Sequence, residues 1–472
     1  MKTECTGNRC QFQGLGRREI VADFVGGTIT SDGGGLLLRE VESQFNILDG
    51  FSKCFTDHRD QELIEHSVLD LVSQRIIGIA LGYEDLNDHD DLSRDHLFAI
   101  LAGKKDPTGQ DRRLERDKGR ALAGKSTLNR FELTPEDAGP KSRYKKIVMN
   151  SEAIDIFFID KFIESYRVPP AKITLDLDAT DFPLHGEQEE RFFHGYYGSY
   201  CYLPLYIFCG EALLCARLQS AKTDGTNGAL DEVQRIVSHI REVWPEVQII
   251  LRGDSGYCRD KIMTWCEKQN NVDYLFGLAK NNRLIKEIKD ELAEAKIMFE
   301  SSGEASRRFK NFMYQTLDSW DKPRRVVAKA EQLAGKTNPR FIVTSLSEGD
   351  YGAQALYEKE YCARGDMENR IKEKQLMLFA DRTSSAKMRA NQLRLYFSSV
   401  AYVLMQTLRR VGLDGTEMAK AQCETIRLKL FKIGAQIKIT VRKIWIAFAE
   451  NYPYQDILRQ VYQNLQKGRI TS

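Results

Sequence analysis

The sequence predicts an α/β fold, on three observations. Strand-forming and helix-forming segments between residues 171 and 279 follow one another in an order that few topologies accept. Two of the strands end in aspartate. A long segment of helical period, further on, carries a glutamate between two cations.

"AKITLDLD" (171–178) is a strand that ends in acids. "SYCYLPLYIFC" (199–209) is strongly β-prone, and "EALLCARLQS" (211–220) follows after a single glycine, Gly210. These three read as an antiparallel meander with a turn at Gly210–Glu211. "GALDEVQRIVSHIREVW" has the 3.6-residue period of an amphipathic helix. "VQIILRGD" is a short apolar strand stopping at Asp254, "RDKIMTWCEKQ" a helix, and "VDYLFGLA" another strand. Crossovers between parallel strands are right-handed. Under that rule the order is that of a ribonuclease H-like core, in which the first and fourth strands are neighbours. Asp178 then stands beside Asp254. The core spans 170–282 and 351–380, with an inserted β-rich subdomain over 283–350, where "RRFKNFMYQTL", "RRVVAKAEQL" and "RFIVTSL" read as strands.

The strand "TLDLDATDFPLHG" (174–186) places Asp176, Asp178 and Asp181 within a few positions, and Asp176 and Asp178 on one side of it. Burying like charges unpaired costs several kcal/mol each. Divalent cations would remove the repulsion. On "AQALYEKEYCARGDMENRIKEKQLMLF", Tyr361, Arg364, Glu368, Lys372 and Gln375 recur every three or four residues and share one helix face. Alone, that face reads as a surface ion-pair ladder. With two strand carboxylates in the same fold, Glu368 becomes a third ligand for a pair of magnesium ions, with manganese as a substitute. Metal ions about 4 Å apart activate a nucleophile on one side and stabilise the leaving oxygen on the other.

Net charge is only +2, but it is unevenly spread. From Arg382 onward sixteen Lys and Arg face five Asp and Glu, and a second basic stretch runs from Gly103 to Arg130. Basic regions around an acidic site point to a polyanion. Residues 1–150 read as a mainly helical DNA-binding region with room for a helix-turn-helix near 110–135. There Ser126, as helix N-cap, Asn129 and Arg130 lie on a face that could meet DNA. Residues 381–472 read as a basic, mainly helical region. "GRALAGKS" (119–126) matches the phosphate-loop pattern, but charged residues precede it where a buried strand is required, so no nucleotide cofactor is expected. An apolar content of 42%, no leader-like apolar run after Met1 and no membrane-length span fit a cytoplasmic protein. Ten scattered cysteines, Cys5 and Cys10 among them, show no zinc-finger spacing and read as reduced thiols.

The motifs "LDLDATDFPLHG", "LRGDSGYCRD", "YCARGDMENRIKE" and "FADRTSSAKMRANQLRLYFSSVAYVLMQTLR" resemble those of DDE transposases of bacterial insertion sequences, specifically the insertion-sequence family numbered 1380. The resemblance covers nearly the whole chain. It implies that Asp178, Asp254 and Glu368 are the metal-binding triad, Asp178 being preferred to Asp176 because Asp178-Ala179-Thr180 resembles the family's D-x-T. Tyr361, Arg364 and Glu368 fit the Y-x2-R-x3-E signature of the wider group, and the resemblance implies that Tyr361 and Arg364, with Lys372, bind DNA. The group's lysine, seven residues after the glutamate, is Gln375 here, which leaves Lys372 as the nearest cation for the transferred strand's phosphate. The resemblance also implies a bacterial, nucleoid-associated enzyme that binds double-stranded DNA at terminal inverted repeats. It would cut the element out, join its 3′-OH ends to target DNA, and work at least as a dimer in the synaptic complex. Two other readings stay open: a metal-dependent nuclease that cuts without joining, and a non-enzymatic DNA-binding relic.

Overall fold

The computed structural model describes residues 9–470; Cys5 lies outside them. β1 (Lys172–Ala179) turns Ile173, Leu175 and Leu177 to one face, where they are buried. β2 (Leu205–Cys209) and β3 (Ala212–Arg217) form a hairpin turned at Gly210, whose φ of +57° favours a residue without a side chain. α1 (Ala229–Val243) buries Val233, Ile236, Val237 and Ile240, a stripe at helical period. β4 (Gln248–Gly253), α2 (Asp260–Lys268) and β5 (Val272–Leu278) complete the unit. The strands stand in the order 3-2-1-4-5, with β2 antiparallel to both neighbours and β1, β4 and β5 parallel. β1 and β4 are hydrogen-bonded neighbours, as the order of segments predicts.

"SYCYLPLYIFC", read as one strand, is two. Ser199–Tyr202 pairs in a separate three-stranded sheet, and β2 starts after Leu203-Pro204. Proline has no N–H for the ladder; its carbonyl instead accepts from the Thr180 N–H, 3.3 Å away.

The 283–350 stretch begins with two helices where strands are expected, Asn282–Glu287 and then α3 (Lys289–Ser302). Ala295 is its one buried residue, so its apolar stripe is faint. β6 (Ser306–Tyr314), β7 (Arg324–Leu333) and β8 (Arg340–Thr344) then prolong the main sheet in the order 5-8-7-6, all antiparallel. They form no sheet of their own.

On the face of the sheet away from α1 and α2, Ile250, Leu275, Val327 and Ile342 meet Leu356 and Tyr357. These two residues belong to a helical run that is wide (π-type) over Leu356–Tyr361, tight over Cys362–Arg364, and regular in α4 (Gly365–Met377). Such a change of pitch rotates the side chains that follow it and is frequent at functional sites. α5 (Met388–Thr407), buried on most sides, packs between β3 and the helix Val68–Leu81. The regions before β1 and after α4 therefore share one apolar core. They also share a sheet, in which Ile29–Thr30 pairs with the hairpin Ala435–Ile439/Ile444–Phe448.

No helix pair forms over 110–135. The stretch holds one tight turn, Glu115–Asp117, and one helix, Lys125–Glu132. The charged run before them is folded as turns around carboxylates: Asp106 accepts from the N–H groups of Thr108, Gln110 and Asp111, and Glu65 from that of Arg113. The helix is capped by Gly124 rather than Ser126. Among the described residues, no helix is long and apolar enough to cross a membrane.

Candidate active site

Parallel pairing of β1 with β4 sets Arg252 opposite Asp176 and Gly253 opposite Leu177. One step further, the same register brings Asp178, at the end of β1, beside Asp254, the first residue after β4. Asp254 is fixed by its own turn, its Oδ1 accepting from the Gly256 N–H at 2.8 Å. Asp178 Oδ1 accepts from the Ala179 N–H at 3.0 Å. From the face above, α4 presents Glu368. The Arg364 guanidinium joins the two sides, with Nη1 3.3 Å from Asp178 Oδ2 and Nη2 3.3 Å from Glu368 Oε1.

One guanidinium thus faces three carboxylates. Burial pushes the Asp178 carboxyl up to about 6; Arg364 opposes the rise, while the negative fields of Asp254 and Glu368 add to it. The three acids come from separate elements, yet they act electrostatically on one another. Among the described residues, no three Asp, Glu, His or Cys side chains are grouped so as to hold a metal ion; at this site the arginine fork lies between Asp178 and Glu368. In kind the donors suit a hard divalent cation. They are all carboxylate oxygens, three of these groups around the one guanidinium.

Asp176, on the same face two residues earlier, is settled differently. Arg252 holds it with two hydrogen bonds, Nε to Oδ1 at 2.5 Å and Nη2 to Oδ2 at 2.8 Å, and passes its remaining nitrogen to the Glu360 carbonyl. Both side chains are buried. Asp176 is therefore a structural anchor tying β1, β4 and the approach to α4 together. The sequence reading takes "VQIILRGD" as apolar and misses Arg252. The signal was its place two residues before Asp254, matching Asp176 two residues before Asp178.

Tyr361 turns its hydroxyl to the sheet. A Cβ on Gly277 would meet that oxygen at 2.6 Å and the Asp254 carbonyl carbon at 3.2 Å, so the ring lies directly under the Asp254 turn and requires glycine at 277. Gln375 donates from Nε2 to Thr180 Oγ1 and to the Asp181 carbonyl, both at 3.4 Å, on the loop leaving β1. Lys372 is exposed one turn beyond Glu368. Lys374, next to Gln375, points the other way. It is fully buried, donates to Ser399 Oγ at 2.9 Å, and lies 4.3 Å from the Tyr206 ring centre, with its pKa driven far down by burial. Ser126, Asn129 and Arg130 are exposed on the helix Lys125–Glu132, remote in sequence from the acids; Arg130 stacks 4.8 Å above Tyr144. Lys125 is bound to Asn87 Oδ1 at 3.1 Å and to Asp90 Oδ2 at 3.4 Å, and the element just before Gly119 is the tight turn Glu115–Asp117 rather than a strand.

Acidic side chains thus gather at the carboxyl ends of adjacent parallel strands, with a helical acid above them. Residues 12–470 match the family described as Transposase DDE domain group 1, and the chain belongs to that family. No curated protein matches the chain in sequence. Among solved structures, it is similar to a piggyBac transposase seen by cryo-EM in a synaptic complex with hairpin DNA. That likeness has 13% identity and a TM-score of 0.42, and covers 94% of this chain and 82% of that one.

Proposed function

We propose that the chain is the transposase of a bacterial insertion sequence, of the insertion-sequence family numbered 1380, built on a ribonuclease H-like core. It binds the element's terminal inverted repeats, cleaves at the ends and joins the 3′-OH ends to target DNA. The observation that carries this reading is the convergence of Asp178, Asp254 and Glu368 on one guanidinium. A site so over-supplied with carboxylate suits divalent cations and a phosphodiester, and a purely structural cluster would have been neutralised, as Asp176 is.

Asp178, Asp254 and Glu368 would hold two magnesium ions, or manganese in their place, which supply Lewis-acid stabilisation of the attacking and leaving oxygens. The residues around them prepare the phosphate. Arg364, a two-pronged donor, is placed to grip a non-bridging oxygen once it is released from Asp178 and Glu368. Lys372 offers a point charge one turn further along the DNA path. Tyr361 holds the Asp254 turn from below, and Gln375 holds the Thr180–Asp181 loop. The exposed Ser126, Asn129 and Arg130 and the basic residues after Arg382 would contact duplex DNA away from the cut. Two ends must be processed together, so at least a dimer assembles in the synaptic complex.

The test is an end-labelled duplex taken from the DNA flanking the gene, incubated with the protein and magnesium beside an unlabelled target plasmid. Cleavage at a discrete end together with labelled, joined plasmid is expected. Cleavage without joined product would reduce the protein to a nuclease, and DNA binding with no cleavage in magnesium or manganese would make it a binding relic.

A further inference from the structure

A small three-stranded sheet leaves the main fold directly after Asp181, made of Phe182–Pro183, Phe192–His194 and Ser199–Tyr202. Its root is tightly held. Phe182, Cys201 and Tyr202 are fully buried. The Glu189 N–H donates to the Ala386 carbonyl at 2.9 Å, Gln188 Nε2 to the Thr383 carbonyl at 3.2 Å, and Ser220 Oγ to the Glu190 carbonyl at 2.8 Å.

The outer part is the reverse. Phe192, Phe193, Tyr196, Tyr197 and Tyr200 all carry large exposed surfaces, with Tyr196 87% and Phe193 50% exposed. Phe193 and Tyr200 are cross-strand partners with ring centres 5.5 Å apart, and the Arg191 guanidinium lies 4.8 Å above Tyr200. At the tip Tyr196 and Tyr197 meet edge-on at 5.0 Å, and Tyr197 is 5.0 Å from the His194 ring. Tyr197 also lies within the electrostatic reach of Asp181 and Asp178. The small sheet begins at Phe182, three residues after β1 ends, so its aromatic face starts from the same loop that leaves Asp178.

Leaving apolar rings in water on a pinned support is unfavourable unless something covers them. The occupant is indicated by the neighbouring chemistry and by the side chains. Rings and a guanidinium stack on any nucleobase, and three tyrosine hydroxyls keep the face wet at its edges. A base inside a duplex has no free face to offer, so the match is to unpaired nucleotides.

We propose that the sheet spanning 182–202 is a stacking platform for one or two unpaired nucleobases next to the scissile phosphate, with Phe193, Tyr200 and Arg191 as its stacking face and Tyr196 at its tip. This rests on the transposase reading above.

The experiment uses the full chain and the flanking-DNA duplex. The cut is first mapped with the unaltered protein; failure of that protein to bind or cut would sink the transposase reading itself. Cleavage is then compared on the paired duplex and on one with two mispaired positions at the cut. Tyr200→Ser and Tyr196→Ser should each slow cleavage of the paired duplex by about 10-fold, base stacking being of that order. The deficit should shrink on the mispaired duplex, where opening is already done. Tyr200→Phe, which keeps the ring, should cleave at nearly the unaltered rate. Both serine variants sit at exposed positions, and unchanged thermal unfolding would verify their fold. Serine variants that cut both duplexes at the unaltered rate, or are slowed equally on both, would overturn the platform. Loss of the dimer on sedimentation without a change in duplex preference would instead make the face a contact between copies.

Discussion

Asp176 and Asp178 stand two residues apart on one face of one strand, and the structure treats them in opposite ways. Asp176 is buried, which raises its carboxyl, and the two-pronged Arg252 is a cation of its own that opposes the rise. Asp178 shares a single arginine with Glu368 and feels Asp254 as well. A buried acid with its own cation is part of the framework. A buried acid in a surplus of negative charge is a cost to the fold that only a ligand offsets. The comparison separates the two roles in a way that residue type and spacing alone do not.

The largest expected effect falls on the Asp178 side. Asp178→Asn, Asp254→Asn and Glu368→Gln should each lower DNA cleavage by about 1,000-fold or more, the loss of several kcal/mol of charge stabilisation, with end-binding nearly kept. A gel-shift titration beside the cleavage assay reads both quantities. On the Asp176 side the effect should be on stability instead. Arg252→Met strands a buried carboxylate and should cost about 3–5 kcal/mol by denaturant unfolding, with a similar loss for Asp176→Ala. Near-native stability in both variants would mean that the pair is not the anchor described.

The pH response sharpens the contrast. In metal-free protein Asp178 keeps its proton up to about pH 6, against an ordinary value of 3.8. Between those limits the folded state binds more protons than the unfolded one, so stability falls as pH rises through the window and the loss is complete above it. Asp178→Asn should lessen that slope, to which the buried and likewise raised Asp176 and Asp155 also contribute, and add up to about 3 kcal/mol at neutral pH. Unfolding curves of the two proteins with chelator, from pH 4 to 8, test it; identical slopes would remove Asp178 as the strained group.

Arg364→Gln should slow cleavage by about 10- to 100-fold, the worth of a charge-assisted contact, and lower the salt dependence of end-binding by about one unit of log–log slope. Lys372→Gln, a single point charge on an exposed stem, should do the same more weakly. Unchanged kinetics and salt dependence in both would leave Glu368 as the only functional residue on that face. Least of all, Lys125→Ala should cost under about 1 kcal/mol, as expected for a half-exposed pair with Asp90, and should expose no nucleotide dependence.

The same contrast explains what could be read from the sequence. Segment order suffices to pair β1 with β4 and so to bring Asp178 to Asp254, because the handedness of crossovers leaves few alternatives. Helical period likewise places Tyr361, Arg364 and Glu368 together on one face. Partners across strands are another matter. "RFIVTSL" reads as a strand, but nothing local says that it pairs with β5 and prolongs the main sheet. Arg252 was hidden because an arginine in an apolar strand acquires meaning only when the register shows Asp176 opposite it. In "SYCYLPLYIFC", β-propensity outweighed the one residue, Pro204, that divides it. The basic run near 110–135 suggested a helix pair, whereas Asp106 and Glu65 hold its backbone in turns.

The most direct test of the central claim is end-labelled cleavage by Asp178→Asn and Asp176→Asn in parallel, at a temperature where circular dichroism shows both folded. The account predicts that Asp178→Asn is inert although at least as stable as the unaltered protein, and that Asp176→Asn cuts DNA although it unfolds more easily. An inert, fully stable Asp176→Asn beside an active Asp178→Asn would contradict it and move the site to the other aspartate.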